Sequence, residues 1–153
     1  MGQDHRKDDK MSNQIGKEKI TNKAFEGRND VIKWDVQKIC NGQNIKVTFV
    51  SKNSPKKQGI RLATDKGIEV NGQIFQSIQL WDDTAPKEVC CKCYTEDGCL
   101  SIYNMWDRGK GPESQSHSSG MLITETDNII TYKCNDIGFE TNFDKLIFTI
   151  EKL

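Results

Sequence analysis

The chain is short of charge of either excess sign, of histidine and proline, and of long apolar runs, and each shortage narrows the range of functions. Lys plus Arg and Asp plus Glu both number 22 in 153 residues. No net field therefore favours nucleic acid or an anionic membrane, and neither is expected as a partner. No stretch approaches the roughly 18 apolar residues that a bilayer span needs. Met1 to Lys19 is almost wholly polar and lacks the apolar centre of a secretory signal. Gly2 does not complete a myristoylation pattern, because position 6 is Arg where Ser or Thr is required. A cytoplasmic protein is the expectation.

Histidine is the most restrictive shortage. His5 lies in a polar leader, so nucleophile and base chemistry would have to use His117. That chemistry needs an imidazole braced by a carboxylate and aimed at one nucleophile. His117 sits instead in a Ser-rich stretch, and a non-enzymatic protein is expected.

Leucine and alanine are also scarce, at six and three, against sixteen isoleucines. β-Branched residues lose side-chain freedom in helices and pack well on pleated sheets, so this balance favours strands. Period-two alternation supports it. Ile45, Val47 and Phe49 alternate with Lys46 and Thr48; Ile74, Ile78 and Leu80 oppose Ser77 and Gln79; Leu146, Phe148 and Ile150 oppose Thr149 and Glu151. Strands are thus predicted over 44–51, 73–81 and 145–152. Segment 31–40 reads either as a strand (Ile32, Trp34, Val36) or as a short helix (Ile32, Val36, Ile39), with strand favoured.

Turn pairs punctuate these runs at Asn41-Gly42, Asn71-Gly72, Asp97-Gly98 and Asp127-Asn128. Gly and Asn accept the positive φ of tight turns. About nine strands follow, a number that suits an antiparallel two-sheet β-sandwich of jelly-roll type. The polar stretch 1–22 is predicted to be a disordered tail, and 23–153 a single β-domain.

Four of the six cysteines cluster at 90, 91, 93 and 99. In a reducing compartment they are thiols or metal ligands rather than disulfides. Buried cysteine commonly acts as a small hydrophobe, so no cofactor is the first expectation. The alternative is zinc on Cys91, Cys93 and Cys99, although the spacing lacks a second Cys-x2-Cys pair. That alternative depends on the predicted hairpin around Asp97-Gly98. The three thiols share a face only if Thr95, and not Glu96, pairs with Cys99. A fourth ligand would have to come from Cys40, Cys134, His117 or an acid.

The long polar stretch 107–120 carries Asp107, Arg108, Lys110 and His117, and Trp81, Tyr103 and Trp106 stand beside acids or amides. Long loops are disproportionately functional, and aromatic faces beside Asp or Asn suit sugars. These seven residues form the predicted ligand-binding set. The expected function is a non-catalytic binding or protein-interaction module whose partner is a protein or a polar ligand such as a carbohydrate.

Overall fold

The structure is a computed structural model and describes residues 17–139 and 142–153 of the chain. Among the described residues it is all β, with eleven strands: β1 (Ile20–Thr21), β2 (Ile32–Lys38), β3 (Gln43–Lys52), β4 (Lys57–Val70), β5 (Gln73–Trp81), β6 (Glu88–Cys93), β7 (Cys99–Asp107), β8 (Pro112–Ser114), β9 (Gly120–Thr126), β10 (Ile129–Asn135) and β11 (Leu146–Lys152). The predicted strands at 44–51, 73–81 and 145–152 are β3, β5 and β11, and the ambiguous segment forms β2. Tight turns reverse the chain where Asn71, Gly72 and Asp127 hold positive φ.

The sheet does not divide into the two layers of a sandwich. Eight strands, in the order β2-β9-β10-β11-β3-β6-β4-β7, form a ring that the β7–β2 pairing closes into a barrel. β1, β5 and β8 extend it from β2, β4 and β7. Every pairing is antiparallel. Closure depends on β4. Its first part, Lys57 to Ala63, pairs with β7, and its last part, Ile68 and Glu69, pairs with β6. The register shift between Ala63 and Ile68 is a bulge that turns the strand between these partners. Gly67 at φ 105° and the Thr64 hydroxyl, which accepts from Gly67 N at 2.9 Å and donates to its carbonyl, hold that bend.

Alternation sorts each strand into an inner and an outer row. On β7 the inner row is Leu100, Ile102, Asn104 and Trp106. Register places Leu62 and Asp35 beside Ile102, and Ile60 beside Asn104. Tyr132 and Phe148 stack in the same interior at 4.6 Å and 7°. A fully buried large apolar side chain contributes roughly 1.5–3 kcal/mol relative to an exposed one, so this shared interior is the main source of stability.

The ordered body begins before residue 23. Ile20–Thr21 adds to β2, Lys19 Nζ lies 3.3 Å from the buried Asp35 carboxylate, and Asn22 donates to the carbonyls of His117 and Ser119. The rest of the predicted tail, residues 1–16, lies outside the described residues.

Candidate functional site

The outer row of the same wall is unusual because it is also aromatic. Trp34 on β2 lies against Tyr103 on β7, with centroids 5.0 Å apart. Arg61, opposite Tyr103 on β4, places its guanidinium 5.6 Å from the Tyr103 centroid and donates to the phenolic oxygen at 2.6 Å. Its other terminal nitrogen donates to Ser77 Oγ on β5 at 3.2 Å. One cation thus ties three strands across their outer face. Further along, Trp81 lies on Gly59, where an added Cβ would come within 2.7 Å of the indole. Lys57 Nζ sits 5.0 Å from the Trp81 ring. Glycine is required at 59 because only a bare backbone lets the indole lie on the sheet.

At the other end of this face two loops rise beside Trp34 and form a cleft of about 190 Å³. Trp34, Ala63, Thr64, Asp65, Asp97, Cys99 and Ser101 line it. Asp65, in the β4 bulge, accepts from the backbone N–H groups of Glu96 and Asp97 at about 3.1 Å and so ties the 94–98 loop to β4. Desolvation alone would raise the Asp65 pKa. The nearby Thr95 side chain and hydrogen bonds from the Asp97 and Glu96 amides outweigh it and hold the carboxyl below its ordinary value. Asp97 Oδ1 accepts from the Thr95 hydroxyl and from Cys99 N. The Trp34 Nε1 is buried without a hydrogen-bond partner. The cleft therefore combines an aromatic wall, two carboxylates and the Ser101 hydroxyl.

The predicted ligand-binding set does not assemble as one surface. Tyr103 and Trp81 belong to the outer face. Trp106 belongs to the inner row, opposite Gln58, and is 1% exposed. Period two by itself separates positions 103 and 106, because an odd offset places them on opposite faces. The stretch 107–120 is also not a structureless loop. Pro112–Ser114 returns along β7 as β8, and Asp107 Oδ1 accepts from Gly109 N and Gly111 N to shape the turn. Arg108 is engaged in a two-point pair with Glu113, at 2.8 and 2.6 Å. Lys110 is exposed at the tip, and the His117 ring packs edge-on to Phe139 at 5.3 Å.

The cysteine hairpin is corrected too. β6 and β7 do not pair with each other, because β6 lies between β3 and the end of β4 while β7 lies between β2 and the start of β4. Neither proposed register exists. Cys91 and Cys93 point into the barrel, where desolvation pushes their thiols up to about 11 and about 12. Cys99 lies on the outer row beside the cleft and Lys38. Among the described residues no three His, Cys, Asp or Glu side chains converge as metal ligands.

Trp34, Asp65, Asp97 and Ser101 are absent from the predicted set. Trp34 is visible in the 31–40 alternation and Asp97 in its turn pair. Their proximity follows from the β4 bulge and from β2 closing on β7, which join segments far apart in the chain.

No family model and no curated protein matches the chain. One solved structure to which it is similar is the Chromobacterium violaceum lectin CV2L in complex with alpha-methyl-fucoside. That likeness has 11% identity and a TM-score of 0.39, and covers 75% of this chain and 92% of the lectin chain. At that TM-score it bears on neither fold nor ligand, both of which rest here on the chain's own residues.

Proposed function

We propose that the domain is a non-catalytic binding module for a hydroxyl-rich ligand the size of one sugar ring, held in the cleft beside Trp34. The observation that carries this reading is the Trp34 side chain lining one cleft with Asp65, Asp97 and Ser101. A sugar offers an apolar C–H face for the indole and hydroxyl donors for the carboxylates. The volume is below the about 300–1,000 Å³ of drug-sized pockets, which favours a single ring or chain end over a long polymer.

The test is binding of the purified protein to an immobilised panel of mono- and oligosaccharides. The wild type should retain at least one sugar class, with Trp34→Ala and Asp97→Asn each weakening it about tenfold or more, the equivalent of about 1.4 kcal/mol. Unchanged far-ultraviolet circular dichroism would show that the fold persists. Failure to retain any sugar, or full retention by Trp34→Ala, would refute the reading.

A further inference from the structure

Strand β5 presents a long unprotected edge. It pairs with β4 on one side and with no strand on the other among the described residues. The terminal strands β1 and β8 have two and three residues, and β8 begins at Pro112. Shortness, proline and charge are the usual means by which edges resist pairing with other chains. β5 has none of them: its nine residues, QIFQSIQLW, contain no charge and no proline. Ile74 is 60% exposed and Phe75 41%, and both flanking glutamines are exposed. Beyond Ser77 the strand borders a hollow of about 380 Å³ that Gln79 and Leu80 share with Thr84 to Pro86 and β6. The part open to another chain is therefore 73–77.

We propose that residues 73–77 pair antiparallel with the same residues of a second copy, across a two-fold axis at Phe75. Reversal about that axis sets Phe75 against Phe75, Ile74 against Gln76, and Gln73 against Ser77. No charge meets a like charge, and the two exposed rings cover one another. This self-complementarity is what selects a second copy as the occupant. The chain's formal charge of zero also removes long-range repulsion between copies. A five-residue strand pair buries less than the about 1,200 Å² of a stable interface, so the dimer is weak and forms as concentration rises.

Sedimentation equilibrium from roughly 5 μM to roughly 1 mM, a span that brackets weak affinities, tests this. The wild-type mass should rise from 17.4 kDa toward twice that value. Phe75→Lys and Gln76→Lys should each hold it at the monomer value, and if one of them fails to fold the other decides. Amide exchange in the wild type supplies a readout without substitution, with residues 73–77 exchanging more slowly at high concentration. A wild type that stays monomeric throughout overturns the proposal, as does association that survives both lysines or exchange at 73–77 that ignores concentration. None of these outcomes depends on the sugar reading of the Trp34 cleft.

Discussion

Two tyrosines on neighbouring parts of the same barrel have opposite surroundings. Tyr132 lies inside, stacked on Phe148, and its hydroxyl donates to Asp35 Oδ2 at 2.6 Å. Burial, together with the nearby Asp35 carboxylate, raises its pKa well above the ordinary value. Tyr103 lies on the outer row, where its hydroxyl accepts from Arg61 and its ring meets Trp34. Both rings are screened from water, but the inner one is enclosed by the core while the outer one is screened by residues at the edge of a cleft. Burial alone thus does not distinguish a residue of the inner row from one of the outer row. The partner's own exposure does: Asp35 is 0% exposed, whereas Arg61 is only partly buried.

The contrast is sharpest when whole rings are removed. Tyr132→Ala should destabilise the fold by about 3–5 kcal/mol, the range for aromatic truncation in a core, read from urea unfolding. A cost below about 1 kcal/mol would show that the barrel interior is not tightly packed there. Removing only the hydroxyl is a finer probe. Tyr132→Phe should cost about 1–3 kcal/mol, because Asp35 loses a donor in a site that water does not reach. The Gln37 side chain, which donates to the same carboxylate oxygen at 2.9 Å, limits the loss.

Alkaline titration extends the comparison to the thiols. In the native state Cys91 and Cys93 stay protonated until about pH 11 and 12, whereas unfolded thiols ionise near their ordinary value of 9. Above pH 9 the unfolded state therefore binds fewer protons, and stability falls as pH rises toward 11. Urea midpoints measured at pH 7, 9 and 10 should decline, and Cys93→Ala should flatten the decline. An equal slope in that variant would refute the assignment. The smallest effect belongs to the outer tyrosine. Tyr103→Phe should change stability by less than about 1 kcal/mol, since Arg61 keeps Ser77 and partial access to water. A loss as large as that of Tyr132→Phe would erase the distinction between the two faces.

Much of the fold can be read from local pattern. Ile45, Val47 and Phe49 in β3, and Leu146, Phe148 and Ile150 in β11, alternate as half-buried strands do, and the structure pairs those two strands along most of their length. The same alternation separates Trp106 from Tyr103. The candidate site is less legible. The stretch 107–120 reads as a loop because Gly109, Gly111 and the serines carry turn chemistry. The return of Pro112–Ser114 along β7 depends on contacts that composition does not encode. The cysteine cluster shows the same limit, since β6 and β7, neighbours in sequence, pair with successive parts of β4 and not with each other.

The sequence by itself determined that this is a β-protein, because period-two patterning and turn residues act within a few positions of one another. It also determined which residues of β3 and β11 share a face. Only the tertiary structure decided that the strands close into a barrel and that Trp34 meets Asp65, Asp97 and Ser101. Both outcomes depend on the bulge at 64–67, which lets one strand serve two partners. Pairing between segments tens of residues apart is a global minimum of packing and hydrogen bonding, and no local window contains it.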